Sequence, residues 1–321
     1  MLKIFHTKNQ KKWNHFLFKN QGLILQSFEW GKIQDNNLKL AVLKNKKRIA
    51  QGLFIEKKLP LGKKYYYCPW INNLDFQILK LFIQDIKKDK NCLFIRFEPQ
   101  NFFEERKIYC KFQNIKKTLN LQPQNVWILN LEKTENDLLQ QMKSKTRYNI
   151  RLAKKKRLTT HCGTSQKKLE TFLELLKKTS KRHKFKIHPK NHYEKIIKNL
   201  GSKKMARIFI IYYKKTPLAA SIITFFNNEA YYMHGASSDE HKNLMAPYLM
   251  HWQAILYAKK VGCKIYNFGG IDQKGWEGIS KFKKSFGGKK ITYSQAFDVI
   301  VDKKWYNIYQ ISKKLFKPQS S

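Results

Sequence analysis

Tyr231-Tyr-Met-His-Gly-Ala-Ser-Ser238, a polar loop, His241-Lys-Asn-Leu-Met-Ala-Pro-Tyr-Leu249 and then Lys264-Ile-Tyr-Asn-Phe268 are the stretch on which the fold turns. The first and last pieces are short apolar runs bounded by turn residues and read as strands. Between them Tyr248, Leu249, Trp252, Ile255 and Leu256 recur at three- and four-residue spacing, which predicts a helix over 247–260 with that stripe inward. The result is a strand–loop–helix–strand unit. Just beyond it, half of the 14 glycines fall between Gly262 and Gly288, so the backbone there bends tightly or approaches a ligand.

Working outward, residues 206–213, 217–226 and 229–236 read as strands, preceded by helices over 135–156, 168–182 and 190–200, the first capped by the hydroxyl of Thr134. Residues 1–131 repeat the style. Apolar runs at Gln21–Leu25, Leu38–Leu43, Ile49–Ile55, Tyr65–Trp70, Leu93–Phe97 and Val126–Leu131 read as strands, and Leu74, Ile78, Leu81, Phe82 and Ile86 mark a helix over 75–88. This is a mixed α/β chain of two domains, 1–133 with 294–321 returning to it, and 134–293. At 321 residues the length suits two domains, using about 100–200 residues for each.

The segment Met142-Lys-Ser-Lys-Thr-Arg-Tyr-Asn-Ile-Arg-Leu-Ala-Lys-Lys-Lys-Arg157 separates at helical pitch into two faces. Leu139, Met142, Thr146, Ile150 and Ala153 form one; Lys143, Arg147, Arg151 and Lys154 form a cationic ridge, with no acidic residue between Gln141 and Cys162. Only eight of the 65 basic residues are Arg, and two of them stand four apart here. A guanidinium grips phosphate oxygens through paired hydrogen bonds, so the ridge is expected to face a polyanion.

The formal charge of +43 creates a field that attracts nucleic acid, nucleotide diphosphates and anionic lipid headgroups alike; because Lys, Asn, Ile, Phe and Tyr, all with codons rich in A and T, are abundant together, clustering carries more information than the total. Aromatic content of 14% and hydrophobic content of 42% exclude a disordered basic tail. The first residues hold no apolar stretch long enough for a signal peptide, and no uncharged run reaches the roughly 18 residues of a membrane helix; a cytoplasmic protein is expected. Cys68, Cys92, Cys110, Cys162 and Cys263 are scattered and form no C-x-x-C pair, so reduced structural thiols are expected, including Cys162 beside His161. His183, His188 and His192 invite a metal reading, but Pro189 interrupts the spacing and no carboxylate or Cys completes a set, so no metal is expected.

The strand–loop–helix–strand unit resembles the centre of acetyltransferase-like (GNAT) folds. In that superfamily a Gly-rich turn at the helix start wraps a CoA pyrophosphate; here Leu244 and Met245 occupy the turn, which argues against acyl-CoA. Taken together, Lys145-Thr-Arg-Tyr-Asn-Ile-Arg-Leu-Ala-Lys154, Gly235-Ala-Ser-Ser-Asp-Glu240 with Met245-Ala-Pro-Tyr-Leu249, Tyr266-Asn-Phe-Gly-Gly-Ile271 and Phe282-Lys-Lys-Ser-Phe-Gly-Gly288 resemble the FemABX family in order and spacing, over roughly residues 20–300. The resemblance implies two GNAT-like domains with a cleft between them. It also implies transfer of an amino acid, a small one such as Gly, Ala or Ser, from aminoacyl-tRNA to the side-chain amine of the stem peptide of a peptidoglycan precursor. No long antiparallel helical insertion is present, which places the chain with the family's compact members.

Residue by residue, the resemblance maps the lysine near the transferred ester onto Lys283, with Lys281 and Lys284 as competitors. It maps diphosphate contacts onto Lys32 and Arg182, and a precursor-site carboxylate onto Glu98, whose alternative is an ion pair with Arg96. Tyr232 and Phe282 are candidate substrate contacts, Tyr232 being equally open to a reading as a core aromatic. The expected partners are aminoacyl-tRNA as co-substrate, a UDP- or lipid-linked muropeptide and, peripherally, an anionic membrane surface. A monomer without a cofactor is expected. Two other readings remain at this point: a non-catalytic RNA-binding protein using the ridge, and a CoA-dependent N-acyltransferase.

Overall fold

A computed structural model describes residues 1–101 and 112–315; Cys110 and the end of the expected C-terminal return lie outside the described residues. The chain divides into two units, Met1–Gln124 with Tyr293–Ser321, and Asn125–Thr292. Both are built on a seven-stranded sheet.

The first unit carries β1 (Leu2–His6), β2 (Asn37–Lys44), β3 (Lys47–Lys58), β4 (Lys64–Ile71), β5 (Cys92–Pro99) and β6 (Ile115–Lys117). The second carries β7 (Asn125–Asn130), β8 (Thr159–Gly163), β9 (Ala206–Tyr213), β10 (Thr216–Phe226), β11 (Glu229–Ser237), β12 (Ile265–Gly270) and β13 (Lys289–Thr292), and β14 (Phe297–Ile300) follows in the first unit. Their spatial orders are β1-β2-β3-β4-β5-β14-β6 and, from the other end, β8-β9-β10-β11-β12-β7-β13. Every neighbouring pair is antiparallel except β4–β5 and β11–β12, each joined by a crossover helix.

The two orders are one topology written twice, with a difference in where the penultimate strand comes from. The strand that follows β6 in sequence is hydrogen-bonded into the second sheet between β12 and β13, and the strand that follows β13 lies between β5 and β6. This moves the expected boundary: Val126–Leu131, read from sequence as part of the first domain, belongs to the second sheet. A local apolar run does not reveal its pairing partner, which is a non-local property.

Each crossover helix buries most of the stripe its spacing announced; Leu81, Tyr248 and Leu256, expected inward, are only half-buried at its edges. In Phe76–Ile86, Asp75 caps the N-terminus by accepting from the Ile78 N–H at 2.8 Å, and Ile78, Leu79, Phe82, Ile83 and Ile86 pack against Leu40, Val42, Phe54 and Phe97. In Ala246–Lys260, Leu249, Met250, Trp252, Ala254, Ile255 and Ala258 enter the core of the second unit. Fully burying one such large side chain stabilises by about 1.5–3 kcal/mol.

Two expectations need correction. Gln21–Leu25 is not a strand; Ile24–Gln26 forms a single 3-10 turn. The helix expected over 135–156 is two, Glu135–Gln140 and Ser144–Lys155, because Lys143 is extended (φ −58°, ψ 145°) and Met142 is buried at the break. The first is fixed at its start by a reciprocal capping box between Thr134 and Asp137.

Strand β14 is anchored by charge. Asp298 is wholly buried and accepts from Arg96 Nε at 2.7 Å, Arg96 Nη2 at 2.8 Å and the Tyr306 hydroxyl at 3.0 Å. Asp298→Ala would leave the Arg96 guanidinium buried without its counter-charge, and is expected to destabilise the protein by about 3–5 kcal/mol. Urea unfolding measures it; an unchanged midpoint would show that the return strand contributes nothing.

Candidate active site

The parallel ladder between β11 and β12 pairs Glu229 with Ile265, Ala230 with Tyr266 and Tyr231 with Asn267, and then stops. Past that point the backbone needs other partners. Gly269, at φ +73°, donates its N–H to Asn267 Oδ1 at 2.8 Å, and the Gly270 carbonyl accepts from Lys283 Nζ at 2.7 Å. Lys283 comes from the helix Glu277–Lys284, which the turn Gly287–Gly288 brings back against β7: Trp127 Nε1 donates to the Gly287 carbonyl at 2.6 Å. Gly288 sits at φ +100°, and a Cβ there would lie 2.2 Å from the Ile128 carbonyl oxygen, so no other residue fits.

Lys283 is 7% exposed, and its ammonium donates to that carbonyl and lies 5.7 Å from the centre of the Tyr232 ring. Burial pushes its pKa down to about 8. The Tyr232 hydroxyl lies where a Cβ on residue 235 would sit, 1.5 Å away, so Gly235 is required for this ring position. Beneath them His251 is buried, its ring 4.6 Å from Tyr232, and its Nδ1 is 3.0 Å from the Tyr266 hydroxyl. Burial, and after it the charge of Lys283, push His251 down to about 3, so the imidazole is neutral. The three competing lysines thus occupy three environments: Lys283 is buried, Lys281 is exposed, and Lys284 is paired with Asp272 at 2.6 Å.

The remaining expected residues divide. Phe282, half-buried, packs edge-on against Tyr248 at 4.9 Å and beside His251 at 5.4 Å, so much of its ring is already used by the core. Glu98 is 1% exposed; its carboxylate accepts from the Tyr67 hydroxyl at 2.5 Å and from the Leu121 and Gln122 backbone N–H groups, while Arg96 pairs with Asp298 instead. With both oxygens engaged, Glu98 orders the chain at Leu121–Gln122 and does not face an incoming ammonium. Lys32 Nζ lies 3.3 Å from Gln10 Oε1 and 5.4 Å from the Phe28 ring, which Lys39 flanks at 4.6 Å. Arg182, in the last turn of Gln166–His183, donates to Ser237 Oγ at 3.1 Å and pairs with Asp239 at 3.0 Å. The Asp239 carboxyl is held below its ordinary value by Lys242 and then Arg182.

The basic ridge is present but smaller than expected. Arg151 and Lys154 are exposed and make no ion pair or side-chain hydrogen bond among the described residues, and Tyr148 beside them is 62% exposed. Arg147 instead folds back, its Nη1 donating to the carbonyls of Gln140 (3.2 Å) and Met142 (2.5 Å), where it closes the break between the two helices. Lys143 is exposed, and its N–H donates to the Ser285 carbonyl at 2.9 Å, while Thr146 Oγ1 donates to Ser285 Oγ at 2.8 Å. The start of the ridge helix is therefore tied to the end of the helix that carries Lys283.

His188 and His192 stack at 4.2 Å, joined by His234 rather than His183, which is bonded to Arg182. Among the described residues no group of His, Cys, Asp and Glu side chains is placed to hold a metal ion. The sequence reading missed His251, Asn267 and Gly270. His251 carries a signal, since it stands on the apolar face of its helix among Leu249, Trp252 and Ile255; Asn267 acts through its side-chain oxygen and Gly270 through its carbonyl, at a ladder end that no spacing reveals.

A family model for the FemAB family matches residues 106–213 and 203–314. Lipid II:glycine glycyltransferase of Staphylococcus saprophyticus is 22% identical over 387 residues, covering 92% of this chain and 93% of its own. Among solved structures, FemX superposes with a TM-score of 0.81 at 19% identity, covering 95% and 99% of the two chains, and a tandem GNAT protein from the clavulanic acid biosynthesis pathway with 0.56 at 8%, covering 94% and 99%. Two GNAT-like domains, a buried lysine at the end of a parallel ladder and a family match over most of the chain agree: this is a transferase, and it belongs to the FemAB family.

Proposed function

We propose that this protein transfers a small amino acid from aminoacyl-tRNA to the side-chain amine of a peptidoglycan stem peptide, building the interpeptide bridge. The observation that carries this reading is Lys283, a buried ammonium held by a carbonyl and a ring and by no carboxylate, hence available to a developing anion. The near full-length likeness to a lipid II:glycine glycyltransferase supports a lipid-linked acceptor and glycine among the candidate residues. The acceptor nitrogen attacks the ester carbonyl carbon, the tetrahedral oxyanion collapses, and the bond to the ribose oxygen breaks. The amine gives up a proton and the departing ribose oxygen takes one. Lys283 stabilises the oxyanion or the leaving oxygen. Because the ester is already activated, no protein nucleophile and no cofactor is required. Against CoA, Leu244 is buried and Met245 sits at φ +58° in the turn before the crossover helix, so side chains fill the place where backbone N–H groups would wrap a pyrophosphate.

Transfer should be abolished by RNase, and a reaction that survives RNase and runs on a CoA thioester would overturn the reading. With Arg151→Ala and Lys154→Ala together, tRNA binding should weaken and the slope of log affinity against log salt should flatten by about 0.7–0.9 for each phosphate no longer neutralised. Arg147→Ala should lower stability instead. An unchanged slope would make the ridge a solvated face.

For Arg182 and Lys32 we assign contacts to the acceptor's diphosphate. Alanine at either should raise the acceptor KM by about tenfold to a hundredfold and leave that for tRNA unaltered. Unaltered acceptor KM in both variants rejects the assignment.

Lys283→Met should lower kcat by about 10²–10³ with little change in either KM, while Lys281→Met stays near wild type. The pKa near 8 implies an alkaline limb centred near about pH 8, and Lys283→Arg should remove it. The same depression makes the unfolded chain the tighter proton binder between about 8 and 10.5, so this group's contribution to stability grows as pH rises through that window. A limb that persists in Lys283→Arg would assign the titration to another group.

A further inference from the structure

We propose that the first unit docks on an anionic lipid bilayer through a corner formed by the β3–β4 hairpin tip and the helix Lys303–Leu315. The tip reads Lys57-Lys-Leu-Pro-Leu-Gly-Lys-Lys64: an apolar centre between two lysine pairs, with no acidic residue. Leu61 is 80% exposed, held out by a tight turn in which Leu61 and Gly62 take φ +58° and +68° and the Leu59 N–H donates to the Lys63 carbonyl at 2.7 Å. An aliphatic side chain presented this way has no role in the fold of its own unit.

The helix repeats the chemistry. Tyr306 is buried and Tyr309 half-buried on the inward face, while Ile308 and Ile311 are 44% and 58% exposed, with Lys303 and Lys304 exposed a turn earlier. Residues 303–321 contain five lysines and neither Asp nor Glu. The two features are neighbours: Lys63 Nζ lies 5.2 Å over the Trp305 ring, and Leu59 and Trp305 pack on the same cluster of Leu93, Phe94 and Tyr306. The nearby carboxylates are engaged, Asp302 in capping the helix through the Trp305 N–H at 3.1 Å and Glu56 and Asp89 in ion pairs with Lys64 at 3.2 and 2.8 Å, so Lys64 braces the hairpin while Lys57, Lys58 and Lys63 supply the tip's charge.

Charge complementarity identifies the occupant. Lysines around aliphatic tips suit phosphate headgroups above an acyl layer, since apolar insertion and electrostatic attraction are each weak alone and sufficient together. A single-stranded nucleic acid would call for open aromatic faces, and here Trp305 is covered by Lys63. No helix among the described residues is long and apolar enough to cross a membrane, so the contact is peripheral.

The test is flotation of the full chain with phosphatidylcholine vesicles, with and without phosphatidylglycerol. The wild type should float only with the anionic vesicles, and Leu61→Asp combined with Ile311→Asp should cut the bound fraction about tenfold. The unfolding midpoint and transfer to a water-soluble UDP-linked acceptor should not change, which separates this proposal from the functional assignment. Leu61→Ser alone should give a smaller loss in the same direction, guarding against misfolding of the double variant. Wild-type flotation by the double variant overturns the proposal. So does wild-type protein that stays with the buffer, and so does a loss in the double variant of RNA binding or of concentration-dependent self-association in place of lipid binding.

Discussion

The chemistry of the second unit depends on where the β11–β12 ladder ends. Parallel strands that stop pairing leave backbone groups that burial makes expensive unless something else meets them. Here side chains meet them: Asn267 takes the Gly269 N–H and Lys283 takes the Gly270 carbonyl. The Lys283 ammonium is therefore positioned by a requirement of the sheet and not by a dedicated counter-ion. Its helix is held in turn by Gly288, which only glycine can occupy against the Ile128 carbonyl, and by Ser285, which receives the start of the ridge helix through Lys143 and Thr146. The surface that carries Arg151 and the interior that carries Lys283 are thus rigidly referenced to each other within one unit.

The first unit solves its closure differently. Its penultimate strand is supplied from the far end of the sequence and fixed by the Arg96–Asp298 pair, buried on both sides and completed by Tyr306. A buried pair of this kind is a weak source of net stability, because desolvation offsets attraction, but it is selective: a strand in the wrong register would bury one charge alone. Asp298 faces Arg96 in the ladder itself, so the pair checks register where strands 202 residues apart in sequence meet.

Much of this was legible in residue order. The crossover helix and its flanking strands followed from the spacing of Leu249, Trp252 and Ile255, whereas Lys283 was singled out by the resemblance to the FemABX family, with its Phe and Gly neighbours in support. What failed was of two kinds. Pairing of β7 could not be read because a strand's apolar pattern says which face is buried, not which neighbour it joins. The intramolecular partners of Glu98, Arg147 and Phe282 were not foreseen because type and spacing show that a group can bind a ligand, but not that the chain also uses it. Glu98 is consumed by Tyr67, Leu121 and Gln122, and Arg147 by two helix-end carbonyls. A rare arginine on a basic face looks the same from sequence whether it caps a helix or meets a phosphate.

Why position 283 should be lysine follows from its surroundings. A carboxylate partner would hold the charge in place and raise its pKa, leaving little attraction for an anion formed elsewhere. A carbonyl and the Tyr232 face stabilise the ammonium only partly, and burial takes its pKa to about 8, close enough to neutrality that it is still mostly charged at pH 7. His251, packed against Tyr232, is kept neutral by the same burial and by that charge, so it adds no competing cation. Arginine would play this part less well, since five fixed donors in a pocket with one carbonyl would leave most of them unsatisfied, although its charge would persist at any pH in the assay range. The destabilisation of a half-satisfied buried cation is thus what keeps Lys283 responsive: whichever oxygen becomes anionic beside it offers a better partner than the Gly270 carbonyl does.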